Sequence, residues 1–140
     1  MTRNLNKLKN VQHINLKGCV YLKNLDEINF ENLKGLNIEN CVKIKNVDKC
    51  KDLENLNINR CHKIKDISSL GKLKTLHIEC CYNINDIGNM RDLINVSIDK
   101  PIYGIHLLRK LKNVSTNNTV CYTKQKNKSY KFLIKLKKSK

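Results

Sequence analysis

Apolar and polar positions alternate along this chain in a pattern that recurs at a fixed interval. Four segments align when the sequence is shifted by a constant step, and they begin at Leu33, Leu53, Leu73 and Leu93. A related segment begins a slightly longer step earlier at Val11, and a degenerate one begins a slightly shorter step later at Leu111. A fixed period of about 20 residues predicts a solenoid, because one such unit is too small to bury its own apolar face.

The units beginning at Leu33, Leu53 and Leu73 contain the run L-x-x-L-x-I-x-x-C, in which apolar and polar residues alternate at the centre, and the other units are variants of it. Alternation with a period of two indicates a strand with one buried face. Because each unit forms one coil, we predict six parallel strands about 4.8 Å apart. They are expected at residues 13–17, 35–39, 55–59, 75–79, 95–99 and 113–117.

Apolar residues follow the strands at close to every third position, as in Ile64, Ile67 and Leu70. This spacing predicts 3₁₀ or short helical turns, or loops, on the convex side of the solenoid. Asp66 and Asp86 precede these turns, and we interpret them as caps of backbone N–H groups. A pair of catalytic carboxylates is the alternative interpretation.

Five of the seven cysteines occupy apolar positions of the repeat, namely Cys19, Cys41, Cys50, Cys61 and Cys81. We expect them to behave as small buried hydrophobic residues. Four of them share one position of the repeat, where their S–H groups can meet backbone carbonyls, namely Cys19, Cys41, Cys61 and Cys81. Zinc binding, the alternative, needs four converging ligands and usually a C-x-x-C or H-x-x-x-H pair, which this chain lacks. We predict no metal and no cofactor.

The predicted organisation is a partial coil at 1–10, closed by Leu5 and Leu8, a solenoid at 11–122 and a basic C-terminal cap at 123–140. No apolar run has the length of a signal peptide or a transmembrane helix. We therefore expect a cytoplasmic protein without a transmembrane segment.

These units resemble leucine-rich repeats, whose defining run L-x-x-L-x-L-x-x-N/C is present in five near-complete copies and one degenerate copy. The short units, with their Cys-containing consensus and Ile, Asn and Lys bias, are also similar to the leucine-rich gene family of insect poxviruses. The resemblance implies an α/β solenoid with its parallel sheet on the concave face. It also implies protein binding through the non-apolar strand positions.

The outward strand positions stack into columns on that face and form the predicted partner-binding surface. Its members are His13, Asn15, Lys17, Asn37, Glu39, Asn55, Asn57, Asn59, Thr75, His77, Glu79, Asn95, Ser97 and Asp99. The alternative is that these residues only keep an exposed sheet soluble. We interpret His13 and His77 as surface histidines, because neither has a nucleophile at a suitable spacing.

Charge is concentrated at the C-terminus, where residues 101–140 contain 11 basic and no acidic side chains, in a chain with a net charge of +16. The segment SYKFLIKLK alternates, so we predict that it pairs with residues 119–124 across a QKNK turn as a β-hairpin cap. The predicted basic patch comprises Lys124, Lys126, Lys128, Lys131, Lys135, Lys137 and Lys138. Further lysines are expected to form ladders on one rim, at Lys23, Lys45 and Lys65 and at Lys43 and Lys63.

The function predicted from these features is a non-enzymatic module that binds a protein partner, such as an acidic one, through the concave face or the lysine-rich rim. The alternative is binding of nucleic acid or an anionic surface through the basic C-terminal region. An enzyme is not expected, because the chain has no G-x-x-x-x-G-K or H-E-x-x-H motif and no paired carboxylates in a cleft.

Overall fold

The structure, a computed structural model, describes residues 10–28, 30–116, 120–124 and 130–134. Six strands form one parallel sheet in sequential order. Their bounds are β1 His13–Asn15, β2 Gly35–Asn37, β3 Asn55–Asn57, β4 Thr75–His77, β5 Asn95–Ile98 and β6 Asn113–Thr116. The predicted parallel solenoid is therefore confirmed, and each coil is numbered here by the strand that it contains.

The register of the sheet follows the spacing of the repeats. His13 pairs with Gly35, Asn55 with Thr75, and Asn95 with Asn113, so coils of unequal length all place equivalent positions side by side. All six strands begin at the predicted residue. Alternating apolar residues thus fix both the start of each strand and its partner.

Strands β1 to β5 end earlier than predicted, because the chain turns soon after each ladder. In the first three coils the side-chain oxygen of an asparagine accepts the N–H group of the next residue but one, 3.0 Å away in each case, at Asn15, Asn37 and Asn57. Such Asx turns compete with continued pairing. The turns then place Gly18, Asn40, Arg60 and Cys80 at positive φ values of 76°, 61°, 62° and 57°.

The side of each coil away from the sheet consists mostly of successive turns. In the third coil Ile64 donates its N–H to the Cys61 carbonyl, and Leu70 donates to Ile67, at 3.2 and 3.1 Å. These are the i→i+3 bonds of a 3₁₀ helix, but only every third residue makes one, so no continuous helix forms. Within the described residues the structure assigns one 3₁₀ helix, Ile105–Leu107. The sequence analysis predicted either short helical turns or loops on this side, and the central coils contain turns and loops.

The core is a stack of aliphatic side chains, in which Leu36, Leu56 and Leu76 lie in register and are buried. Burial of each such side chain contributes roughly 1.5–3 kcal/mol. Three cysteines add a bond between coils, since their Sγ atoms lie 3.1, 3.0 and 2.8 Å from carbonyl oxygens of the preceding coil, in the order Cys41, Cys61 and Cys81. Their predicted burial and thiol–carbonyl contact are confirmed.

Cys19 departs from this pattern because its side chain is exposed, so its predicted burial was wrong. It lies in the first described coil, whereas each later thiol is covered by the coil to which it donates. Cys50, at a different position of the repeat, is buried as predicted.

The fifth coil approaches the fourth closely at a pair of glycines. Gly104, at φ 79°, lies so close to Gly88 that a Cβ atom placed on it would be 2.3 Å from the Gly88 nitrogen. Asp86 and Tyr103 form a parallel β-bridge beside this contact. The shorter fifth coil can stack here because glycine permits the close approach of two backbones.

Two further strands, β7 Val120–Lys124 and β8 Tyr130–Ile134, pair antiparallel with Val120 opposite Ile134. This pairing agrees with the predicted hairpin, and its role as a cap stays a prediction. The proposed QKNK turn at 125–128 and the N-terminal pair Leu5 and Leu8 lie outside the described residues. Among the described residues, no helix combines the length and apolar character needed to cross a membrane.

Candidate binding surfaces

The outward side of the sheet, here called the strand face, is a polar surface whose residues are aligned by the ladder. The first four strands enclose a shallow groove of about 370 Å³ on this face. Seven of the predicted partner-binding residues line it, namely His13, Asn15, Asn37, Asn55, Asn57, Thr75 and His77. The structure thus brings together half of the predicted set in one place.

The other predicted residues lie beyond the groove. Lys17 is exposed, and five more are partly buried at the strand ends or on β5, namely Glu39, Asn59, Glu79, Asn95 and Asp99. Ser97 is in register with His77 on the outward side but is covered there, since the residue is only 6% exposed. Its hydroxyl donates a short hydrogen bond to Glu79. The carboxylate of Glu79 is therefore directed towards coil 5 and accepts from Ser97.

Gly35 explains the position of the His13 ring. A Cβ atom at Gly35 would lie 2.3 Å from the His13 Nδ1 atom, so the imidazole rests directly on the backbone of β2. The His13 side chain is exposed and Gly35 beneath it is buried. The absence of a side chain on β2 therefore sets the position of the ring at one end of the groove.

Hydrogen bonds across the strands hold part of the strand face in place. Asn113 donates to the Asn95 side-chain oxygen at 2.6 Å, and Asn95 donates to the Thr75 hydroxyl at 3.3 Å. Near the first strands the Lys17 ammonium lies 3.0 Å from the Glu39 carboxylate. The hydrogen bond from Lys17 is the main cause of the lowered pKa of Glu39. These contacts orient the side chains before any partner binds.

A second surface lies where each coil leaves the sheet, and it carries the predicted lysine ladders. Lys23, Lys43, Lys45 and Lys63 line a groove of about 430 Å³. Lys45, Lys63 and Lys65 line an adjoining groove of about 590 Å³. We call these five lysines the lysine rim.

The chain entering β3 to β6 carries charges of alternating sign, which the sequence reasoning missed. One column, at equivalent positions of successive coils, reads Asp52, Lys72, Asp92 and Lys110. Lys72 pairs with Asp52, and the Lys110 and Asp92 groups lie 2.5 Å apart. In a neighbouring column Lys74 lies 2.7 Å from Glu54. The signal was present in the repeats, because the same position alternates between acid and base from coil to coil.

The predicted caps bind backbone groups of turns. An Asp66 oxygen accepts the Ser68 N–H at 2.8 Å, and an Asp86 oxygen accepts the Gly88 N–H at 2.7 Å. The N–H of Ser68 is the main cause of the lowered pKa of Asp66. Both carboxylates are therefore engaged as the capping interpretation predicts, at turns and not at helix starts.

The buried thiols are unsuited to nucleophilic chemistry. Burial raises the pKa of Cys50 and of Cys61 to about 12, and that of Cys81 to about 11. A thiol must ionise to act as a nucleophile or a metal ligand. Within the part of the chain that the structure describes, no three His, Cys, Asp or Glu side chains form a group that could hold a metal ion.

The structure does not describe the side chains of the predicted C-terminal basic patch, from Lys124 to Lys138.

A scan against protein-family models and searches of curated proteins and of solved structures found no match to this chain. The surfaces are therefore interpreted from their own geometry and chemistry.

Proposed function

We propose that this chain is a non-enzymatic protein-binding module built from leucine-rich repeats, and that its strand face holds a segment of a partner protein. The repeat assignment is supported by the L-x-x-L-x-I run, whose central Leu and Ile are buried in register, as at Leu36 and Ile38. Kinship with the insect poxvirus family and a cytoplasmic location stay predictions.

The observation that carries the proposal is the open groove across β1–β4. Its polar groups are amides, a hydroxyl and imidazoles, fixed on a sheet whose strands are about 4.8 Å apart. Pockets for small molecules are usually concave and bury most of the ligand, whereas this groove is shallow and open. An extended polypeptide advances about 3.3 Å per residue, and its N–H and C=O groups complement a row of amide side chains.

Two histidines occupy opposite ends of this groove. His13 lies on β1 and His77 on β4, and both side chains are exposed. Within the groove lining they are the largest side chains that reach solvent. We expect their rings to make the main contacts with a partner, because planar groups bury area at a small entropic cost.

A photocrosslinking experiment tests this site. A benzophenone amino acid is placed at Asn55 in the groove, and in a second protein at the exposed turn residue Ser69. Irradiation in living cells is expected to give discrete protein adducts from position 55 and none of these from position 69. The adducts should weaken strongly in a His13→Ala/His77→Ala background, as measured by blotting and mass spectrometry.

The matched control is His106→Ala, which removes an exposed imidazole from the 3₁₀ helix. It should leave the adducts unchanged. Equal adducts from Ser69, or adducts insensitive to loss of both groove histidines, would refute the strand face as the binding site.

Nucleic-acid or anionic-surface binding by the C-terminal region is the second candidate function. It is supported by the 11 basic and no acidic residues at 101–140. Replacing Lys131, Lys135, Lys137 and Lys138 by glutamine in the full chain tests it, because phosphate contacts make affinity fall steeply with salt. An unchanged salt dependence of nucleic-acid retention would exclude this candidate.

A further inference from the structure

The lysine rim gathers like charges on successive coils. Lys23, Lys45 and Lys65 occupy equivalent positions of coils 1 to 3, and Lys43 and Lys63 form a second column beside them. The two grooves that these lysines line share Lys45, Asn46 and Lys63, so they form one continuous surface. Neighbouring coils are about 4.8 Å apart, so equivalent lysines follow one another at intervals of one coil.

Six other lysines of the described residues are paired with carboxylates. All six ion pairs found among the described residues lie elsewhere, and their lysines are Lys17, Lys34, Lys49, Lys72, Lys74 and Lys110. Two carboxylates reach the edge of the rim, those of Asp48 and Asp66, and the latter is bound to Ser68. The repeats could alternate sign at the rim, as they do before the strands, but they place lysine there three times in succession.

Exposed aromatic rings flank these lysines. Tyr21 is 82% exposed, and its ring centroid lies 4.9 Å from the Lys43 Nζ atom. Tyr82 is 62% exposed and stacks on His62, with ring centroids 5.8 Å apart and an angle of 5° between the planes. The first ring belongs to coil 1 and the last to coil 4, which places them about three coil steps, or roughly 15 Å, apart.

We propose that the lysine rim, together with Tyr21, His62 and Tyr82, binds single-stranded nucleic acid. The lysines contact successive phosphates, and unpaired bases stack on Tyr21 and on the open side of the His62–Tyr82 pair. Proteins that bind single strands combine a positively charged groove with aromatic rings in this way. A duplex hides its base faces, and an acidic peptide or a lipid headgroup has no flat rings to stack, so the exposed aromatic rings favour a single strand.

This surface is separate from the strand-face groove, since the two share no lining residue. The inference therefore does not depend on the proposed protein-binding function. It competes with the C-terminal candidate for nucleic-acid binding, because that candidate places the phosphate contacts at 131–138 and this inference places them on the solenoid.

The test measures fluorescence anisotropy of labelled single-stranded RNA and DNA 15-mers with the full chain. Replacing Lys43, Lys45, Lys63 and Lys65 by glutamine is expected to reduce affinity at least tenfold. The slope of log affinity against log salt should fall by about 2–3, as expected for four lost phosphate contacts. Tyr21→Ala/Tyr82→Ala should reduce affinity at least about fivefold with little change in that slope, because it removes stacking.

Two control variants carry the same change in charge at other places. One replaces Lys34, Lys72, Lys74 and Lys110 before the strands, and the other replaces Lys131, Lys135, Lys137 and Lys138 near the C-terminus. Both should bind the 15-mers within about threefold of the parent, with circular dichroism confirming that all variants are folded.

Several outcomes would overturn the inference. They are an equal loss of affinity in either control variant, no effect of removing both tyrosines, and equal affinity for a duplex of the same sequence. Stronger binding to phosphatidylserine vesicles or to polyglutamate than to the 15-mers would assign the lysine rim to a membrane or an acidic protein instead.

Discussion

Four residues at one position of the coil hold a left-handed backbone conformation, and only Gly18 among them is a glycine. In the later coils the position is occupied by Asn40, Arg60 and Cys80, at positive φ values of 61°, 62° and 57°. Asparagine tolerates this conformation, whereas arginine and cysteine are strained by their Cβ atoms. In coil 5 the equivalent residue is Lys100, which precedes Pro101, and a proline disfavours helical backbone angles in the residue before it.

We therefore predict that Arg60→Gly stabilises the protein by about 0.5–1 kcal/mol. Relief of left-handed strain, roughly 1–2 kcal/mol, exceeds the entropy that glycine adds to the unfolded chain. Gly18→Ala should destabilise by about the same amount, since no atom lies within 4 Å of its added Cβ and only the backbone opposes it. Urea unfolding measures both changes.

Gly71→Ala is the control for these variants. Gly71 is not among the positive-φ residues, and its added Cβ would have only the Asn89 carbonyl, at 4.0 Å, as a neighbour. It should be neutral or slightly stabilising. A loss of stability in Arg60→Gly equal to that in Gly18→Ala would contradict the assignment of strain to this position.

At the scale of the element, strands β2 to β6 are each preceded by a charge that pairs with an adjacent coil. Hydrogen bonds from lysines are the main cause of the lowered pKa values of Asp52, Glu54 and Asp92, their donors being Lys72, Lys74 and Lys110. A carboxylate whose pKa is lower in the folded state stabilises that state above its unfolded pKa. The contribution disappears as the pH falls through the lowered value.

We accordingly predict that the unfolding temperature falls as the pH is lowered below about 4, where carboxyl groups with ordinary pKa values become protonated. The double variant Asp52→Asn/Asp92→Asn should show a weaker fall of the unfolding temperature with pH, because two of the responsible carboxylates are gone. High salt should also weaken this fall, because it screens the ion pairs. Calorimetry between neutral and acidic pH measures the slope. Asp48→Asn, outside the six ion pairs of the described residues, should keep the slope of the parent.

The sequence was sufficient to predict the strand starts and their register, because a one-residue slip would turn Leu36 or Leu56 outward. It could not distinguish turns from a 3₁₀ helix, since apolar residues at every third position suit both. The burial of Ser97 and the exposure of Cys19 depend on which residues of a neighbouring coil cover them. The sequence of a single repeat does not contain this information. The outward residues of the strand face could be assigned from the alternation of the sequence, but the groove across the first four strands required the coordinates.

At the scale of the whole molecule, each coil packs on the one before and the one after. Leu56 of β3 is paired with Leu36 on one side and Leu76 on the other, and is only 1% exposed. Ile14 of β1 is 8% exposed, and its strand has one neighbour among the described strands. In such arrays stability is approximately a sum of intrinsic coil energies and nearest-neighbour interfaces.

Leu56→Ala is therefore predicted to destabilise by about 2–4 kcal/mol, and Ile14→Ala by less than about 2 kcal/mol. In hydrogen-exchange mass spectrometry, the first change should speed exchange in coils 2 to 4 together. The second should speed exchange chiefly in coils 1 and 2. Uniform acceleration over all coils in both variants would show that the solenoid unfolds as one cooperative unit.

The ladder from Gly35 through Asn55 and Thr75 to Asn95 advances by the same length of chain at each step. A tandem duplication or a loss of one whole repeat within this region therefore keeps every remaining strand in register and every aliphatic row continuous. Unequal recombination in the gene can therefore add or remove whole coils without changing the register of the remaining strands. Both the groove and the lysine rim can then change in length while their chemistry is inherited unaltered.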